Sequence, residues 1–338
     1  MMVKVLWLAW LEWFKLRRRL MPWVLLVILL LFTQLAVWGS FFAYERQQSN
    51  MGSLVLGGGG VFGQRGGVRI DCNAVLRGDL SSLPSSLEPV IGLGAVQQCN
   101  QLIQRQRQAL GELYKSFTLP GSISRAMEMV PVIGMILLVI LTASTVGVEY
   151  GWGTLRTVLV RGPGRWQFLA GKVILLAVLS LAALAIVVAA TSASSLVTQS
   201  LVGPDALAPA TLPTWQDVGI ASIKAWYSLL PFLALTAFVT VATGSSASGI
   251  AIGLAYFFGE QIVVAILLNL FDWFDTLAQY LLEWNVTAWG GGLSLAAGRA
   301  DPPSDTHAFF VLLAYTIVLG GLAFWFFARR DVTGPRGG

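Results

Sequence analysis

Val146-Gly147-Val148-Glu149-Tyr150-Gly151-Trp152-Gly153-Thr154-Leu155-Arg156 ends one long apolar run and opens a short basic connection, which continues through Arg161, Pro163, Arg165 and Gly171-Lys172 into the next apolar run. Two runs of spanning length joined by so short a charged link make a hairpin at a membrane surface. Such a hairpin is too small for a catalytic pocket. It is well placed to be gripped by another subunit from one side of the bilayer.

Composition agrees with that reading. Apolar residues make up 56% of the chain and charged residues 12%, with a mean hydropathy of +0.71. A soluble domain has about a quarter of its residues charged. The net charge of +5 does not indicate nucleic acid, because the basic residues cluster at the ends of hydrophobic runs, where orientation and anionic headgroups account for them. The expected fold class is an all-α integral membrane protein with six transmembrane helices. An interfacial N-terminal helix precedes them, and a large extracytoplasmic insertion separates helices 1 and 2.

The expected segments are an interfacial helix at 1–20, spans at 21–44, 127–148, 173–197, 227–243, 249–271 and 309–327, and a tail at 328–338. Between them lie an external subdomain at 45–126, a cytoplasmic hairpin at 149–172 and external loops at 198–226 and 272–308. The fourth span is the shortest and carries Pro231. Lys15, Arg17, Arg18 and Arg19, the hairpin's Arg156, Arg161, Arg165 and Lys172, and the tail's Arg329, Arg330 and Arg336 all fall on one side of an even number of spans. By the positive-inside rule that side is the cytoplasm, so both termini are cytoplasmic and the chain sits multi-pass in the cytoplasmic (inner or plasma) membrane. The segment Val3 to Leu16, with Trp7, Trp10, Trp13 and Phe14, suits a helix lying in the interface before Pro22; the alternative is that it simply lengthens the first span.

The external subdomain begins with Gly57-Gly58-Gly59-Gly60, a flexible stretch without Walker spacing, and then turns helical from about Gly94 to Lys115. Both cysteines, Cys72 and Cys99, lie in it. On an oxidising side of the membrane an even pair reads as a disulfide; the alternative is two independent buried thiols.

Soluble-enzyme chemistry is absent from the sequence. The single histidine, His307, permits neither a histidine-rich metal site nor a triad, so no metal ligands and no catalytic residues are assigned. Gly171-Lys172 lacks the upstream glycine of a Walker A loop. Asn285-Val286-Thr287 matches a glycosylation sequon. Inside the fifth span, Gly249, Gly253, Tyr256 and Glu260 share one helical face, with small residues that permit close packing. Glu260 there is either a pathway carboxylate or a protonated group bonded to a neighbouring helix.

These features together resemble a family. The basic N-terminus Leu11-Glu12-Trp13-Phe14-Lys15-Leu16-Arg17-Arg18-Arg19, the six spans, the hairpin Glu149-x-x-x-Gly153-Thr154-Leu155-Arg156 and the ending Phe327-Ala328-Arg329-Arg330-Asp331 look like a permease subunit of type-2 ATP-binding-cassette (ABC) exporters. The first external segment departs from compact members, whose first loop is short. The resemblance implies two separate ABC ATPase subunits that hold ATP and Mg, with no cofactor on this chain, and a second permease copy or related chain. It also implies that Glu149, Gly153, Thr154, Leu155, Arg156, Arg161 and Arg165 form the ATPase-coupling element. The implied function is export or translocation of an amphipathic or hydrophobic substrate. Two alternatives stand beside it: a mechanotransmission complex acting on an external partner, and a proton-coupled secondary transporter using Glu260. A lack of any second ionisable partner in the spans counts against the latter.

Overall fold

A computed structural model describes residues 2–49, 53–56, 68–72, 92–151, 164–202, 211–271, 273–290 and 302–329. The helices are α1 Met2–Leu16, α2 Leu20–Ser49, α3 Gly92–Phe117, α4 Gly121–Gly151, α5 Arg165–Leu201, α6 Trp215–Thr243, α7 Ser246–Leu270, α8 Phe274–Ala278, α9 Leu282–Gly290 and α10 Asp305–Arg329. The only other regular structure among the described residues is an antiparallel ribbon of β1 Ser53–Leu56 and β2 Val68–Asp71, in which Ser53 faces Asp71. Six helices, α2, α4, α5, α6, α7 and α10, are long and apolar enough to cross a membrane. The expected helical class and number of spans are therefore found.

Pro22 explains why α1 is a separate helix and not an extension of the first span. It is tolerated in the first turn of α2, but its ring would clash with the Arg18 carbonyl in a continuous helix. The chain instead tightens at Arg17 to Arg19, where the Arg19 N–H donates to the Leu16 carbonyl at 3.0 Å.

The described chain forms two compact units. One comprises residues 1–34, 123–191 and 214–338, and the other residues 35–122 and 192–213. In the second unit, Phe117 of α3 is the hub of an aromatic cluster with Phe41, Tyr44 and Tyr114 at 5.3–5.6 Å, packed with Val37 and Leu110. Cys72, just past β2, is bonded to Cys99 of α3, with their Cα atoms 5.3 Å apart. That link constrains the unfolded loop by about 3–4 kcal/mol in the chain-entropy model.

In the first unit, α6 is the most enclosed span. Buried residues make up 72% of its 18-residue apolar window, against 17% for α2 and 11% for α10. The helix begins earlier than hydropathy suggests, at a capping box in which the Asp217 N–H donates to Thr214 Oγ1 and the Thr214 N–H donates to Asp217 Oδ2. It stops at Gly244, whose φ of 70° suits glycine, and Ser245 then caps α7. Lipid tails are as apolar as side chains, so spans associate through close packing and not through expulsion of water. Gly249 and Gly253 serve that packing. A Cβ on Gly249 would meet Thr240 of α6 and Ala143 of α4, and one on Gly253 would lie 2.8 Å from Val139 Cγ1.

Candidate functional site

Four charged side chains converge where α4 and α5 run into the 152–163 connection. Lys172 of α5 is 1% exposed, and its Nζ lies 3.1 Å from Glu12 Oε2 of α1 and 3.2 Å from Glu149 Oε1 of α4. It also donates to the Thr145 carbonyl at 2.9 Å. An ammonium has three donors, and here three acceptors receive them. The Phe168 ring lies 5.1 Å away on another side. Lys15, half exposed, completes the set at 2.6 Å from Glu12 Oε1 and 3.8 Å from Glu149 Oε1. Two carboxylates and two ammonium groups give a neutral cluster. Burial works against ionisation of Glu12, but the charges of Lys172 and Lys15 and their hydrogen bonds outweigh it, so its carboxyl sits below the usual range.

Gly171 shows how the lysine reaches α1. A Cβ there would meet Leu8 Cβ at 3.1 Å and the Ala9 backbone nitrogen at 3.3 Å, so the α1 backbone lies directly against α5 at this point. The Gly171-Lys172 pair therefore has a structural meaning unrelated to nucleotide: the glycine admits α1 and the lysine holds it. Arg165 binds a third element at the same end, donating from Nη1 to the Ala328 carbonyl of α10 at 2.8 Å. A cation at the last carbonyls of a helix is favoured by the helix dipole. Trp166 stacks on Phe324 at 4.8 Å, and Phe168 on Phe327 at 6.2 Å.

Of the expected coupling residues, Glu149 and Arg165 therefore mark the two ends of the connection. Gly153, Thr154, Leu155, Arg156 and Arg161 lie outside the described residues. Glu12 and Lys172 were not singled out as site residues. They are 160 positions apart, so no local spacing joins them.

The second polar cluster surrounds Glu260, which is 8% exposed. Its Oε1 accepts the Trp284 N–H at 3.0 Å, and the N–H groups of Leu282 and Glu283 face the same carboxyl. These are the first three residues of α9, whose N–H groups have no partner within their own helix. Glu260 thus caps α9 from another helix. Beside it, Glu283 is 3% exposed and accepts from Gln261 Nε2 at 3.0 Å and from Thr287 Oγ1 at 3.3 Å. Burial, with the Glu260 charge, pushes the Glu283 carboxyl up to about 8. Glu283 supplies the second ionisable group that the spans themselves lack near Glu260, and it comes from the 272–308 segment expected to be an external loop.

The buried face of α7 runs through Gly249, Gly253, Phe257, Glu260 and Val264. Phe257 packs edge-on against Phe232 of α6 at 5.9 Å, while Tyr256 is only half buried, its hydroxyl beside Glu260 and Tyr315. The glycine face accordingly packs inside one chain against α4 and α6. Asn285 of the sequon is fully buried and donates its amide to the carbonyls of Gln279 and Leu281, which removes it from glycosylation in the folded protein. His307 is engaged with the Gln279 carbonyl at 2.9 Å.

Residues 108–333 match the family described as protein of unknown function (DUF2705), and the chain belongs to that family. No curated protein and no solved structure matches the chain.

Proposed function

We propose that this chain is the permease subunit of an ABC exporter, lying multi-pass in the cytoplasmic membrane with both termini and the 152–163 connection in the cytoplasm. Two partner ATPases carry ATP and Mg, and a second permease copy completes the path. The observation that carries the reading is the Glu12–Lys15–Glu149–Lys172 cluster, which ties α1 to the ends of both spans flanking the connection. A push on that connection would reach α1, α4 and α5 together. Leu155 and Arg156 are the residues of the connection that would seat in an ATPase, an apolar anchor beside a charge. The α1 helix would lie in the membrane interface, and the unit tied by Cys72–Cys99 would face outside, where disulfides persist.

The test is purification of the tagged chain from its native membrane. An ABC ATPase should co-purify and hydrolyse ATP. Leu155→Asp and Arg156→Glu should each lower its recovery at least tenfold while the permease inserts normally. Undiminished recovery in both variants, or no ATPase at all, would sink the proposal.

A second reading, proton-coupled transport without an ATPase, is favoured by one observation, the pairing of Glu260 with Glu283. Uptake into vesicles driven by a pH gradient alone, and lost in Glu260→Gln, would select it.

A further inference from the structure

One side of the first unit is hollowed into a groove of about 170 Å³ between α1, α2, α4, α5 and α6. Its wall is aliphatic along nearly all its length. The Ser180 hydroxyl is the polar exception, and it is already committed, donating to the Ala177 carbonyl at 2.8 Å and accepting from Trp226 Nε1 at 3.2 Å. The groove therefore presents nothing to an occupant's middle except hydrocarbon.

One end is different in kind. Trp13, Arg17 and Trp23 stand there, with Trp23 Nε1 donating to the Arg17 carbonyl at 3.0 Å. The Arg17 guanidinium lies 3.9 Å over the Phe14 ring, which fixes its place at the mouth, and the residue is exposed. Among the described residues it has no carboxylate in an ion pair. Arg18 and Arg19 follow it directly.

The dimensions select the occupant. Along α4 the wall runs from Val130 to Leu141, a distance of about 16 Å at ~1.5 Å per residue. That is about half of a ~30 Å hydrocarbon core, the depth of one leaflet. A slot one leaflet deep, aliphatic throughout, with indoles and a guanidinium at a single end, has the polarity profile of a phospholipid standing in its own leaflet.

We infer that this groove is a binding site for an anionic phospholipid, one acyl chain lying between α2, α4 and α5 and the headgroup phosphate paired with Arg17. The inference goes beyond the permease reading and does not depend on an ATPase.

The experiment uses the full-length chain in phosphatidylcholine vesicles doped with a photoactivatable phosphatidylglycerol or, separately, a phosphatidylcholine bearing the same diazirine acyl chain. Cross-linked peptides are then mapped. Phosphatidylglycerol should label the groove segments of α4 and α5 about five-fold more than phosphatidylcholine, matching the ~1 kcal/mol that one basic residue contributes near anionic lipid. Arg17→Gln, on an exposed site, should abolish that preference without removing the labelling. Ala183→Phe, which fills the groove, should remove labelling there by both lipids and leave the outer face of α7 labelled as before. Equal labelling by the two lipids, or an undiminished preference in Arg17→Gln, would overturn the proposal. So would cross-links between copies of the chain across the groove with lipid excluded, because a second copy would then be the occupant.

Discussion

The α1–α4–α5 cluster and the α7–α9 cluster each bury two carboxyl groups, and they stabilise them in opposite ways. In the first, Glu12 and Glu149 share Lys172, with Lys15 at the rim. In the second, Glu260 and Glu283 have amide and hydroxyl donors and no cation in an ion pair among the described residues. Fully charged, the first set is neutral and the second carries two negative charges. The first therefore behaves as a clamp held by opposite charges, with Glu12 ionised, and the second as a joint that needs at least one proton on. A buried carboxyl alone does not reveal its role; its nearest cation does.

The largest effect expected from breaking this contrast is that of Lys172→Met. It would leave Glu12 and Glu149 without their buried counter-ion and with only the half-exposed Lys15, a loss of about 3–5 kcal/mol. Thermal unfolding in detergent should fall accordingly, and amides of α1 should exchange hydrogen much faster. Adding Glu12→Gln and Glu149→Gln to Lys172→Met should recover most of the loss, since the uncompensated charges are then gone. A triple variant no better than the single one would mean that the lysine acts by packing alone.

Next in size is Gly253→Leu. The new side chain would have to displace Val139 and Thr236, and overpacking of a tight core costs about 1–3 kcal/mol. The disturbance should reach Glu260 and α9 through α7, so hydrogen exchange should rise in α9 and not in α1. Leucine at Gly259, where a Cβ meets nothing within 4 Å, is the control and should be tolerated. Equal damage from the two would remove the packing argument.

Glu12 and Glu283 also predict opposite pH dependences. Glu283 sits above its ordinary value, so its contribution to stability is full below about 4.5 and declines as pH rises towards about 8. Glu12 sits below its ordinary value, so its contribution is full above about 4.5 and is lost as pH falls through its lowered value. With the intrinsic pH dependence of amide exchange divided out, protection of α9 should therefore fall from pH 5 to 8 while that of α1 holds, and α1 should loosen only in stronger acid. Glu283→Gln should flatten the α9 profile, an effect of at most a few kcal/mol. An α9 profile already flat in the unsubstituted chain would break the contrast.

What could be read from the sequence was whatever repeats or sits alone. Six apolar runs announced six spans, Pro22 announced the break after α1, and an even cysteine pair announced the Cys72–Cys99 link. The glycines at 249 and 253 announced a close approach, and of the expected face Gly249, Gly253 and Glu260 are buried, whereas Phe257 and not Tyr256 completes it. The two clusters were hidden for a common reason. Glu12 meets Lys172, and Glu260 meets α9, through contacts of long sequence separation, so no local pattern records them. Glu283 was further masked by lying between spans, in a segment whose polarity looks like a loop until α9 folds back against α7.

The smallest effect belongs to Lys15, and it tests whether burial, not mere pairing, makes the first cluster a clamp. Lys15 has the shortest contact of the set, 2.6 Å to Glu12, yet its side chain is 52% exposed, against 1% for Lys172. Water and salt screen an exposed pair, so Lys15→Ala should cost only about 0–1 kcal/mol despite the better distance. That cost should shrink further in 1 M salt, where the screening length is about 3 Å, while the loss from Lys172→Met should hardly change. Unfolding of both variants at low and high salt measures the difference. If Lys15→Ala were as damaging as Lys172→Met, the cluster would be a rim network open to solvent, and α1 would have no buried anchor on the spans that flank the 152–163 connection.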